Sequence, residues 1–239
     1  MKKLVLLGTA MCAFTFASFP AQAAMQGEFS ANVGLVSEYS FRGLAQSDEH
    51  MAVQGGFDYS HDSGFYAGVW GSNVDFNDGD EAQVELDAYA GVSGEFDNGI
   101  AWDLGAIYYM YPGANSNLDY DYIEAAGSLG YDFGLFSLSG AVNYSPDFFA
   151  GSGDALYTAA YVDVPLPYDF TLGGHVGYQS IDDNTAFGVP DYTDWSVDVG
   201  YSWQGFDFSL SYVDTDLDEP SECADGCDAR IIFGISRSF

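Results

Sequence analysis

The sequence predicts an all-β fold, a transmembrane antiparallel up-and-down β-barrel of about 12 strands, and three observations carry that prediction. Alternate residues are apolar through a succession of segments, which is the period of a strand with one apolar and one polar face. Short turns alternate with long polar loops. Beyond the N-terminus, no apolar run approaches the roughly 20 residues that a membrane-spanning helix needs. A chain that enters a bilayer without such a helix must close as a barrel, the other structure that satisfies every backbone hydrogen bond internally.

The first segment is a leader. Residues 1–23 carry two lysines, an apolar run beginning at Leu4, and Ala21-Gln22-Ala23 as a cleavage site, so they read as a secretory signal peptide. Cys12 does not mark a lipoprotein, because Thr9-Ala10-Met11 lacks the Leu expected upstream of a lipidated Cys. Residues 24–239 are then a single barrel domain. The full chain has 36 acidic residues against 5 Lys and Arg, and the mature part keeps only Arg42, Arg230 and Arg237. With 17% aromatic residues and 29 Gly, this is a strand-forming composition, not that of an acidic disordered chain. No nucleic-acid partner is expected of so acidic a protein.

The predicted strands follow in order. Strand one runs from Phe29 to Arg42, setting Phe29, Ala31, Val33, Leu35, Tyr39 and Phe41 against Ser30, Asn32, Gly34, Glu38 and Ser40. Strand two is Met51 to Ser60. Strand three, Phe65 to about Val74, has large residues on both faces, and its facing is open. Strand four, Glu81 to Phe96, is apolar or small at every second position, with Glu85, Asp87 and Glu95 on the other face. The same pattern recurs at Ile100 to Tyr111, Asp121 to Phe133, Leu135 to Ser145, Ala155 to Val164, Phe170 to Ser180, Tyr192 to Trp203, Phe206 to Asp214 and Ile231 to Phe239.

The links are short at 61–64, 97–99, Gly134, 165–169 and 204–205, and long at 44–49, 75–81, 112–119, 146–154, 181–191 and 215–229. That rhythm, short periplasmic turns and longer extracellular loops, belongs to outer-membrane barrels. A soluble barrel or sandwich would show the same alternation with the apolar face turned inward. Two further features separate the readings. Aromatic residues such as Tyr39, Phe41, Phe57, Phe96, Trp102, Tyr144 and Trp203 lie near strand ends on the apolar face, the girdle position of a membrane barrel. The chain also ends in Phe239, with Ile235, Phe233 and Ile231 at two-residue steps behind it. This resembles the C-terminal strand of Gram-negative outer-membrane proteins that their assembly machinery reads. Arg237 departs from that pattern, and near the interface it can snorkel.

Tyr39, Phe41-Arg42-Gly43 with Gln46-Ser47, Gln54-Gly55-Gly56 and Gly64-Phe65-Tyr66-Ala67-Gly68-Val69-Trp70 carry a second resemblance. Through them Ser30 to Phe76 is similar to the opening of the TorF family, proteobacterial proteins of otherwise unknown function regarded as porins. That resemblance implies an outer-membrane pore and no particular solute.

If the apolar face meets lipid, the acidic face lines the lumen, since charges on a lipid face carry a depth-dependent cost. The strand directions place Glu38, Glu85, Asp87, Glu124, Asp194 and Asp198 toward the outer mouth or the middle. Asp58, Glu95, Asp103, Asp132, Asp163 and Asp207 fall toward the periplasmic mouth. Arg42 is the one basic residue expected inside, within reach of Glu38. Inward positions are mostly small and polar, so the expectation is a narrow, water-filled passage without a packed plug. Rings of Asp and Glu attract cations. The composition therefore points to passive diffusion of small solutes with a cation preference, the acids otherwise serving only to solvate the interior.

Other chemistry is sparser. Cys223 and Cys227 lie in the last long loop of an exported chain, which favours a local disulfide over a metal site with Asp225 and Asp228. Asp75 to Glu81 is acid-rich without EF-hand spacing. His50, His61 and His175 are the only histidines and no G-x-S-x-G elbow exists, so no catalytic residue, cofactor or metal is expected. Tyr89, Tyr109, Tyr157 and Tyr161 on the inner face could instead form a track for an aromatic or sugar solute. Outer-membrane lipid, the assembly machinery and small solutes or cations are the expected partners; oligomeric state is open.

Overall fold

A computed structural model describes residues 27–77, 79 and 82–239, and the predicted leader, 1–23, lies outside them. The strands are β1 (Glu28–Val36), β2 (Ser40–Phe41), β3 (Leu44–Ala45), β4 (Ala52–Ser60), β5 (Phe65–Asn73), β6 (Val84–Glu95) and β7 (Ile100–Met110). They continue as β8 (Tyr122–Asp132), β9 (Ser137–Ser145), β10 (Ala155–Pro165), β11 (Phe170–Ile181), β12 (Tyr192–Trp203), β13 (Phe206–Thr215) and β14 (Arg230–Ser238). All but β2 and β3 form one closed barrel of 12 antiparallel strands, each beside its sequence neighbour, with β1 pairing both β4 and β14. Closure joins the two chain ends: Ala31 and Phe239 exchange backbone hydrogen bonds of 3.2 and 2.8 Å. With no free edge, every barrel strand has a partner on both sides.

The apolar face is the outside. Phe57 is 69% exposed, Leu104 60% and Ile231 71%, whereas Glu85, Asp87, Glu124 and Asp194 are 2% or less. Barrel strands of 9 to 12 residues at about 3.3 Å per residue and a tilt of about 45° rise roughly 20–28 Å, the height of an apolar band in a bilayer. The predicted facing of β6 therefore holds: Val84, Leu86 and Val92 are exposed and Glu85 and Asp87 are buried. Strand three is resolved as well. In β5, Phe65 and Val69 point out, and Trp70 packs inside against Tyr39 at 5.5 Å between ring centroids.

Two expectations are corrected. The predicted first strand does not continue to Arg42. It leaves the barrel wall at Ser37, whose N–H makes the last rung to Phe233 O at 2.8 Å. Residues 40–45 instead form the separate hairpin β2–β3, so Tyr39 and Phe41 sit indoors and not in the outer girdle. Phe57, Phe96, Tyr144 and Trp203 remain outside, at 69, 53, 43 and 52% exposure. Second, the lumen does hold a packed plug in its outer half. Tyr39, Val74, Ile107, Tyr109, Tyr111, Tyr122, Phe148 and Ile181 form a buried cluster, with Phe41, Trp70, Phe76, Tyr120, Phe149 and Phe187 against it. Phe148 and Phe149 come from the long loop at 146–154, Phe187 from the four-residue helix α1 (Asn184–Phe187).

Candidate functional site

The hairpin β2–β3 is the centre of the site. Arg42 and Gly43, its turn, both have positive φ, at 49° and 81°. Such values define a type I′ turn, whose twist matches that of the strands it joins. Gly43 is required twice over, because a Cβ there would also collide with the side chains of Thr215 and Asp194.

The turn projects Arg42 across the lumen. Its Nη2 donates to Glu124 Oε2 at 2.7 Å and its Nη1 to Gln179 Oε1 at 2.8 Å. Tyr157, Phe41 and Phe148 lie around the guanidinium with centroids at 4.3, 4.6 and 5.9 Å. Glu124 Oε2 also accepts from Asn143 at 3.1 Å. Burial is the largest single influence and pulls the Arg42 pKa down, but the charge and hydrogen bond of Glu124 together with the neighbouring Tyr109 and Tyr122 outweigh it and hold the guanidinium's pKa above its ordinary value. A planar fork that bridges two acceptors and stacks on rings is a task for Arg that Lys cannot perform.

A second arginine clasps the hairpin from the opposite wall. Arg230 Nε donates to Glu38 Oε1 at 2.6 Å and Nη2 to Gly43 O at 2.6 Å. The expected pairing of Arg42 with Glu38 is thus corrected: each has a different partner, and Arg42 is not alone inside. Sequence reasoning missed Arg230 because it sits one residue before the predicted last strand. Tyr39 OH, donating to Glu85 Oε1 at 2.8 Å, fixes the base of the hairpin. Over it lies the last long loop, where Ala45 N donates to Gly226 O at 2.8 Å and Cys223 and Cys227 are joined as a disulfide.

Midway down, β11 and β12 carry a polar row. His175 Nε2 lies 2.6 Å from Asp194 Oδ1, and Nδ1 lies 2.8 Å from Ser196 Oγ. Ser196 Oγ donates to Asp198 Oδ2 at 2.6 Å. Tyr161 stacks on His175 at 5.6 Å.

The inner half is built differently. Asp103 accepts from Tyr66 OH at 2.8 Å, Asp58 from Tyr89 OH, and Asp207 from Ser202 at 2.5 Å. Asp163 and Asp198 stand on either side of Gly173 in one row across β10, β11 and β12, so Asp198, expected toward the outer mouth or the middle, sits level with an acid of the inner half. Glu95 and Asp132 are not part of this group: both are exposed at strand ends, and Asp132 Oδ1 accepts from Gly134 N at 2.6 Å in the β8–β9 turn. Among the described residues no arginine faces this half of the lumen, since Arg237 is engaged by Phe206 and Phe239 at 4.9 and 5.4 Å.

A closed barrel of 12 antiparallel strands with an apolar exterior and an aromatic plug in its outer half defines the structural class of this protein. The chain belongs to the Gcw_chp family, bacterial proteins of unknown function, whose model matches residues 20–239. No curated protein matches it in sequence. Among solved structures, the KdgM porin in complex with disordered oligogalacturonate is similar with a TM-score of 0.58 at 10% identity, over 88% of this chain and 98% of that one. The NanC porin is similar with a TM-score of 0.58 at 12% identity, over 89% and 99%. At such identities the likeness is one of fold.

Proposed function

We propose that this protein is a bacterial outer-membrane channel for passive diffusion of small solutes, with a preference for cations. The observation that carries the reading is the pairing of an exposed apolar barrel surface with an inner lumen that holds, among the described residues, the carboxylates of Asp58, Asp103, Asp163, Asp198 and Asp207, each at least partly buried. The exterior fits lipid, where a charge near the midplane costs up to about 2–4 kcal/mol. The signal peptide at 1–23 exports the chain, and the C-terminal strand ending in Phe239 presents it to the barrel-assembly machinery. Both the TorF resemblance of residues 30–76 and the porin fold support a channel.

Oligogalacturonate, the ligand of the KdgM complex, is a polyanion. An interior of carboxylates repels such a solute, so the shared fold carries a different selectivity here. The row at His175 is read as a polar lining of the lumen: Ser196 Oγ lies 2.8 Å from His175 Nδ1 and 2.6 Å from Asp198 Oδ2. Reconstitution in a planar bilayer tests the reading: discrete KCl conductance with a cation-selective reversal potential is expected. Absence of conductance would favour a binding barrel that uses its inward tyrosines.

A further inference from the structure

We propose that Arg42 is the residue that positions the constriction of this channel, by holding hairpin β2–β3 against one wall so that the open route runs along the other. The proposal rests on the channel reading above and adds to it where the route lies and what sets its width.

The packing around the hairpin is lopsided. On the β7–β8 side, Phe41 meets Tyr109 edge to face at 5.9 Å, Tyr109 stacks on Tyr122 at 4.4 Å, and Tyr122 meets Phe148 at 4.7 Å. Rings at these separations are in contact. On the other side a cavity remains between the hairpin and strands β11 to β14. Glu38, Ser40, His175, Ser196, Ser209 and Ser211 are among the residues that line it. Val36, Trp195, Val213 and Ile232 line it as well, so its hydroxyls and the Glu38–Arg230 pair can replace part of a solute's hydration along only part of the wall.

Arg42 sets this asymmetry. Its two acceptors, Glu124 on β8 and Gln179 on β11, fix the tip of the hairpin laterally. The tip's other direct hold is Arg230 Nη2 on Gly43 O at 2.6 Å, from the side of the last strand, and β2 and β3 pair only through Ser40 with Ala45 and Phe41 with Leu44. Removal of the guanidinium would leave Glu124 as a buried charge without its cation, which is strongly unfavourable. The hairpin would then leave its seat, and the route would widen. The inner acids lie below the hairpin and keep their places, so width and charge preference should separate.

The test compares wild type, Arg42→Glu, Arg42→Lys and the exchange Arg42→Glu with Glu124→Arg in planar bilayers, in KCl with polyethylene glycols of graded size. Arg42→Glu should raise single-channel conductance several-fold, admit larger polymers and leave the sign of the reversal potential unchanged. Arg42→Lys keeps the charge without the bridge and should give an intermediate conductance. The exchange should return both conductance and size limit toward wild type. A folded Arg42→Glu barrel with wild-type conductance and size limit would overturn the proposal, as would wild-type behaviour of Arg42→Lys should the first variant not fold. If wild type conducts and the variants match it, this inference alone fails; if no barrel conducts, the channel reading fails with it.

Discussion

The outer and inner halves of the lumen share one set of strands and differ in almost everything else. In the outer half, long loops and a hairpin bring aromatic rings inward, and its arginines are each clasped to a glutamate, Arg42 to Glu124 and Arg230 to Glu38. In the inner half the turns are short, and Asp103 and Asp207 accept from tyrosine and serine hydroxyls. On the proposed channel reading, the contrast implies a division of labour: loop-borne bulk sets the width of the passage, and strand-borne charge sets what is drawn through it. A strand offers an inward position only at every second residue, so bulk enters most readily from the end that has long loops.

The largest break in that comparison should come from stability. Phe148 is 3% exposed and packs between Tyr122 and Phe187. Phe148→Ala should cost about 3–5 kcal/mol if the plug is a true core, whereas Asp207→Asn in the inner half should stay within about 0.5 kcal/mol. Urea unfolding in lipid vesicles reads both. Equal effects would mean that the plug is only loosely seated.

A smaller effect concerns pH. Burial raises the pKa of Glu38 above the ordinary carboxylate range, and the neighbouring Arg230 only partly offsets it. As pH falls, Glu38 therefore takes up its proton before an ordinary glutamate would, and its clasp on Arg230 loses charge. The folded state binds this proton more tightly than the unfolded chain, so the group lowers stability as pH rises through the window between the two pKa values. Conductance should increase as pH falls through that window. Glu38→Gln should flatten the dependence, and an unaltered pH profile in that variant would remove Glu38 from the account.

The smallest effect belongs to the disulfide. The loop it closes spans Cys223 to Cys227, for which chain entropy gives about 2 kcal/mol at most. Cys223→Ser with Cys227→Ser should leave the barrel folded and slightly raise the noise of the open-channel current, because the loop lies over the hairpin at Ala45 and Gly226.

The 12 strands and their facing were legible because a barrel in lipid keeps strict alternation over whole segments, and β6 is the clearest case. The departure at Ser37 was not, because β2 is itself a strand and Tyr39, Glu38, Phe41 and Ser40 continue the same period of two. A signal was present. A first strand of 14 residues exceeds the usual span, and a glycine at 43 behind Arg42 suits a two-residue turn. The plug was missed for a related reason: side-chain size was judged on the strands alone, while Phe148, Phe149 and Phe187 come from loops read as polar links. Arg230 and Arg42 were visible as residues, but which carboxylate each would meet depends on the path of the chain to a partner 192 positions away for Arg230 and 82 for Arg42.

The central claim, that strand-borne acids of the inner half set the preference for cations, is tested most directly by the reversal potential across a KCl gradient. The measurement compares wild type with the triple variant Asp58→Asn, Asp163→Asn, Asp198→Asn. The account predicts a cation-selective potential in wild type that moves most of the way to zero in the variant while conductance changes little. An anion-selective wild type, or a variant as cation-selective as wild type, would contradict it.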